Sequence, residues 1–228
     1  ESACWHWAAA GRPDRVDEKL IHSDLLEAMI QPAHAFEALR HWRASRGSER
    51  MQQMLRSACE LPEQSSIAIL GAAHIYTVGV AKDAPAQWLE RAVARAEKEH
   101  DHPALIRALQ RLSSHGETPT TDAREMLRRA LTLVEQQDDI DYSLQASVHH
   151  GLACLLESEG RDSEARDEYA LAVECMERAR GVNAPELIAW LNNLASAHKA
   201  AGDLRAANEV LRRSLKLARE HFGSRHPT

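Results

Sequence analysis

An all-α chain built as an array of antiparallel helix hairpins is what three observations predict. The first is self-similarity: Leu191-Asn-Asn-Leu-Ala-Ser-Ala-His-Lys-Ala-Ala-Gly202, with Ala207, Leu211, Ser214 and Leu215 behind it, repeats the residue types of Gly151-Leu-Ala-Cys-Leu-Leu-Glu-Ser-Glu-Gly160, Ala165, Tyr169, Ala172 and Val173 at a shift of 42 residues. A fixed period of that size marks a helical repeat in which each unit closes its core only against its neighbours. The second is composition, 44% hydrophobic but only 4% aromatic, rich in Ala and Leu where strands favour β-branched and aromatic side chains. The third is spacing. In the last unit Leu187, Leu191, Leu194, Ala195 and His198 line one face of a first helix, and Leu204, Ala207, Leu211 and Leu215 one face of a second.

Helix punctuation divides the chain into eleven helices and the end of a twelfth. Apolar residues of helical period run over 2–10 until Gly11, and Pro13 opens 13–30. Pro32 precedes 33–45, which Gly47 ends before 48–60. Pro62 precedes 64–79, Asp83 opens 83–100, and Pro103 starts 103–115, with Gly116 behind it. Thr121 opens 121–137, and 140–159 ends at Gly160, with Asp162 in the first turn of 161–180. Pro185 lies at the start of 184–201, which ends at Gly202, and Asp203 caps 203–222. The small residue late in each second helix falls at Ser23, Ala58, Ala92, Ala130, Ala172 and Ser214, at gaps of 35, 34, 38, 42 and 42. This gives about five hairpins and a partial N-terminal one in a single solenoid over 1–228, clearest over 140–182 and 184–228. The start at Glu1, inside a helical stretch, reads as a piece of a larger protein.

Leu191, Leu194, Ala195, His198, Gly202, Ala207, Leu211, Ser214 and Leu215 resemble the tetratricopeptide repeat, with His198 where that family usually has Tyr and Ser214 where it has Ala. An earlier unit matches with Ile69, Ala72, Ala73, Tyr76, Trp88 or Leu89, Ala92 and Val93. The 42-residue period with Leu-Asn-Asn-Leu-Ala, followed by Phe222-Gly-Ser-Arg-His-Pro227, is similar to the subtype found in kinesin light chains and bacterial signalling proteins. The resemblance implies a right-handed superhelix whose first helices line a concave groove holding an extended peptide. It places Ala189, Asn192, Asn193, Ser196 and Lys199 of the last unit, and Ser147, His150, Cys154 and Glu157 of the one before, on that groove. Further back it points to Arg107 and Gln110, to Leu70 and His74, and to Phe36, Glu37 and Arg40. An Asn amide both donates to and accepts from a peptide backbone, although the same side chain also serves to tie adjacent helices. The set of Lys, Asn and Arg by which some family members grip a C-terminal carboxylate is absent from any three consecutive units.

A net charge of -6 supplies no basic stripe for a phosphate backbone, so no nucleic-acid partner is expected. No apolar run reaches the ~18 residues of a membrane span, and no basic-then-apolar leader opens the chain. Cys4, Cys59, Cys154 and Cys175 form no C-x-x-C pair and read as small buried residues in a reducing, cytoplasmic setting. His100-Asp-His102 reads as a solvated loop and His149-His150 as a core or groove pair, since neither has the further ligands zinc needs. The acidic run Glu135 to Asp141 also reads as a solvated loop. No phosphate-binding loop, nucleophile elbow or zinc-protease motif occurs; no catalytic residue, metal or cofactor is expected. The charge of residues 203–222, +2, faces -2 over 161–180, which suits stacking or self-association. The function these observations support is a non-enzymatic scaffold that binds a protein or peptide, the sensor or recruiting module of a larger bacterial regulator. The alternative is an oligomerisation or sensor arm of a nucleotide-dependent signalling ATPase or transcriptional regulator, because Trp5-His-Trp-Ala-Ala-Ala-Gly-Arg-Pro-Asp14 looks like segments that follow the ATPase module of bacterial signalling regulators.

Overall fold

The computed structural model describes residues 48–61, 64–79 and 84–223. The helices expected over 2–10, 13–30 and 33–45, together with Cys4, Ser23, Phe36, Glu37 and Arg40, lie outside them. Among the described residues there are nine α-helices and no strand: α1 (Ser48–Glu60), α2 (Ser66–Gly79), α3 (Ala86–Glu99), α4 (His102–Ser113), α5 (Thr120–Glu135), α6 (Tyr142–Ser158), α7 (Asp162–Arg180), α8 (Leu187–Ala200) and α9 (Leu204–Phe222). Each coincides with an expected helix to within three residues at either end. The chain divides into two compact units, Glu1–Glu117 and Thr118–Thr228.

The repeat register holds. Ala58, Ala92, Ala130, Ala172 and Ser214 are all buried, which is what a close helix crossing requires of a position that admits no larger side chain. In unit 1, α2 is enclosed on nearly every side, and α3 lays Trp88 edge-on against Tyr76 at 5.1 Å between ring centroids. In unit 2, consecutive helices pack in order from α5 to α9. Tyr169, Val173 and Met176 of α7 meet Leu187, Leu191 and Leu194 of α8 in one apolar cluster.

The two clear hairpin turns are copies of each other. Gly160 at φ +73° and Gly202 at φ +84° take the left-handed conformation that ends α6 and α8. Arg161 N then donates to Leu156 O and Asp203 N to His198 O, each at 2.9 Å, so orphan carbonyls of the last turn are satisfied identically. Asp203 caps α9 by accepting from Ala206 N. The carboxylates of Asp101 and Asp141 do the same for α4 and α6, accepting from Ala104 N and Leu144 N. Asp101 and Asp141, placed in solvated loops by sequence, are therefore helix caps.

Two expectations for the core fail. Leu204 and Leu211 are 61% and 47% exposed, while Ala207 of the same helix is buried and Leu215 half-buried. The reason is positional: Leu211 and Leu215 stand where α7 has Tyr169 and Val173, the face that receives α8, and no described helix follows α9. Cys59 and Cys175 are buried as expected, but Cys154 is exposed; all three are free thiols. Part of the opposed charge of α7 and α9 is met within the chain, where Arg213 pairs with Glu177 at 2.5 Å.

Candidate binding surface

In unit 2 the first helices α6 and α8 each keep one stripe of side chains open. On α6 it runs through Ser147 and His150, both half-buried, to Cys154 and Glu157, both exposed. On α8, Ala189, Asn192, Ser196 and Lys199 are exposed, and Trp190 and Asn193 are half-buried beside α6. Residues three and four apart share a helical face, so every position named from the sequence in this unit stands on one of two neighbouring stripes.

A directional chain of hydrogen bonds crosses this surface. Asn193 Nδ2 donates to His150 Nε2 at 3.0 Å, which places the ring proton on Nδ1, 3.7 Å from Sγ of Cys154. Cys154 Sγ lies 3.3 Å from Tyr169 Oη, and that hydroxyl donates to Glu157 Oε2 at 3.0 Å. The imidazole is gripped edge-on between Tyr169 and Trp190, with ring centroids at 5.5 and 5.4 Å. Burial holds the His150 pKa below its ordinary value, against a smaller opposing pull from the Glu157 charge, so the neutral ring is the form that accepts from Asn193. Burial, then the bonds to Cys154 and Glu157, push the Tyr169 hydroxyl up, keeping it a donor.

Asn192 and Asn193 thus do two things. Asn192 Oδ1 accepts from Ser214 Oγ at 2.8 Å, tying α8 to α9, and Asn193 ties α8 to α6. The Ser at 214 in place of the usual Ala is explained by this bond, because a buried hydroxyl needs a partner. Each Asn keeps amide capacity toward solvent, and Ser196 and Lys199 are wholly at the surface. The adjacent histidines split: His150 joins the open face, while buried His149 pairs through Nδ1 with Glu168 Oε2 at 2.8 Å. Tyr169 was not legible as a member of this surface, since it reaches it from α7; Trp190, three residues before Asn193 on α8, was within reach of the same spacing rule and was missed.

In unit 1 the positions named by resemblance divide. Leu70 is buried in the core, 1% exposed, because α2 is enclosed on that side, so it lines no groove. His74 on α2 and Arg107 and Gln110 on α4 are half-buried at the surface. Among the described residues no three or more His, Cys, Asp or Glu are placed to hold a metal ion, and no helix is long and apolar enough to cross a membrane.

The hairpin geometry, the small-residue register and the duplicated Gly turns are features of one repeat type, and residues 160–220 match its family model, the tetratricopeptide repeat. These residues are tetratricopeptide repeats. The crystal structure of BtubC (BKLC) from P. vanneervenii is similar to the whole chain, at 18% identity and a TM-score of 0.69, with 100% of this chain and 95% of that one covered. Two crystal structures of a Podosopora anserina protein, described as a putative kinesin light chain with nearly identical TPR-like repeats, are similar at 17% identity. A point-substituted form of it has a TM-score of 0.57 over 87% of this chain and 93% of that one. The other has 0.56 over 89% and 95%. At such identities the likeness carries the all-α hairpin fold of kinesin-light-chain-like tetratricopeptide repeats and nothing about partners. No curated protein matches the chain in sequence.

Proposed function

We propose that this chain is a non-enzymatic scaffold whose α6–α8 surface holds an extended segment of a partner protein. Tetratricopeptide repeats are generally non-catalytic and bind proteins, which gives the coarse function. The single observation that carries the finer reading is the pair of open stripes on neighbouring first helices. Asn192, Asn193, Ser196 and Lys199 lie on the helix next to the one that carries Ser147, His150, Cys154 and Glu157, with Asn193 and Trp190 against His150. Amides and hydroxyls suit a peptide backbone, and the half-buried indole suits an apolar side chain. The internal hydrogen-bond chain presets the stripe, so binding orders little on the protein side. The chain acts in this reading as the sensor or recruiting module of a larger bacterial regulator in the cytoplasm, where the free thiols of Cys59, Cys154 and Cys175 remain reduced.

The test is a peptide selected from a random display library on the full chain, with affinity followed by fluorescence anisotropy. Ser196→Arg and Lys199→Glu alter exposed side chains that make no hydrogen bond or ion pair among the described residues, so melting is unchanged while affinity falls about tenfold or more. Equal affinity in both variants would refute the assignment to this surface.

A second reading, an oligomerisation or sensor arm of a signalling ATPase, rests on the apolar side of α9, where Leu204 and Leu211 lie open. Sedimentation of the full chain separates the two: a dimer that Leu211→Glu dissociates favours the arm, and a monomer favours the scaffold.

A further inference from the structure

Unit 1 carries, on its own first helices, a cluster with no counterpart in unit 2. α4 is buried at Ala104–Ile106, Ala108, Leu109 and Leu112, which leaves Arg107, Gln110 and Arg111 as its half-buried open stripe. Arg107 and Arg111 stand one turn apart on it. Among the described residues neither guanidinium makes an ion pair or a hydrogen bond, whereas Arg95, Arg124, Arg161, Arg178 and Arg213 each hold a carboxylate. α2 packs against α4, and Nε2 of His74 on α2 is closed off from water with no hydrogen-bond partner among the described residues. The charges acting on this group of side chains are its own: burial and then Arg111 hold the His74 pKa low, and burial and then Arg107 lower that of Arg111. Two half-buried cations without an anion, beside an unpaired imidazole nitrogen, have unmet electrostatic and hydrogen-bonding demand.

From this juxtaposition we propose that Arg107 and Arg111, beside the helix that carries His74, bind a phosphoryl group carried by a peptide segment. The two guanidiniums supply paired donors for phosphoryl oxygens, and a charge near -2 balances both arginines, where a carboxylate balances one. Gln110, on the same stripe, offers its amide to the peptide backbone. The proposal rests on the chain being a peptide-binding scaffold but not on the α6–α8 surface.

The probes are fluorescein-labelled Gly/Ala nonapeptides whose central residue is phosphoserine, serine or glutamate, titrated into the full chain. The phosphoserine peptide binds at least about tenfold tighter than the other two, and Arg111→Gln and Arg107→Gln each remove about tenfold or more. Inorganic phosphate at matched ionic strength raises the melting temperature of the wild type and not that of Arg111→Gln. Arg111→Lys, which keeps the charge but not the planar fork, folds and binds more weakly. An unchanged phosphopeptide affinity in Arg111→Gln, or equal binding of the glutamate and phosphoserine peptides, overturns the proposal. If Ser196→Arg abolishes binding and Arg111→Gln does not, the peptide sits on unit 2; the scaffold reading then stands and the phosphoryl site falls.

Discussion

The open stripes of unit 1 and unit 2 occupy equivalent first-helix positions, yet they treat their polar groups in opposite ways. On α6 and α8 the groups answer one another: Asn193, His150, Cys154, Tyr169 and Glu157 form one chain of donors and acceptors, and Asn192 serves Ser214. On α2 and α4, Arg107, Arg111 and the Nε2 of His74 answer nothing among the described residues. A repeat frame therefore sets where a stripe lies and not what it is for. Internal satisfaction makes one stripe a firm, preset surface, and unmet demand makes the other a receptor for charge.

Removing the ring that joins three members of the unit 2 chain has the largest expected effect. Tyr169→Ala empties a buried site against His150 and costs about 3–5 kcal/mol, read from urea unfolding. A loss under about 1 kcal/mol would mean the chain does not hold the surface together. Next, Asn193→Ala leaves His150 without its donor and costs about 1 kcal/mol, and Asn192→Ala costs about 0.5–1 kcal/mol by leaving the Ser214 hydroxyl only its longer bond to Ile188 O at 3.4 Å. Measured costs near zero would return both amides to a purely ligand-facing role.

Acid acts on both units in the same direction. His74 and His150 have folded-state pKa values below their ordinary 6.5, chiefly through burial, so the unfolded chain takes up protons that the folded chain resists. Their contribution is fully present above about pH 6.5 and is lost as pH falls below it. Unfolding free energies at pH 7.5 and 5.5 show the decline, and His150→Gln reduces it; a stability that rises toward pH 5.5 would contradict the neutral assignments. The smallest effect sharpens the contrast between the stripes. Arg107→Gln relieves repulsion with Arg111 and gains about 0.2–0.5 kcal/mol without phosphate, where its unit 2 counterparts only lose. A measured loss would show that Arg107 has a partner in the folded protein.

Much of this was readable from spacing alone. Helix bounds, the Gly160 and Gly202 turns and the buried row at 58, 92, 130, 172 and 214 follow from local preference and period, which act along one helix or one turn. What escaped depends on contacts between helices. Leu70, aligned to a groove position, is covered by neighbours of α2. Leu204 and Leu211 have the right period for a core but lack a described helix to meet. Cys154 reads as a small buried residue until Tyr169 and His150 are seen beside it, and the Ser214 hydroxyl makes sense only once Asn192 faces it. The site residues were legible as stripes; their division into bonded and unbonded sets was not.

Cys154 gives direct access to the central claim, that the α6–α8 surface is where a partner lies. Its thiol is exposed in the middle of that surface, while those of Cys59 and Cys175 are buried, with burial pushing Cys59 up to about 12. The measurement is the rate of iodoacetamide alkylation at Cys154, resolved by mass spectrometry, with and without a saturating display-selected peptide. At least about a tenfold slowing is expected, reversed in Ser196→Arg, because a covered thiol reacts only when the peptide leaves. An unchanged rate at saturation would place the partner elsewhere and contradict the claim.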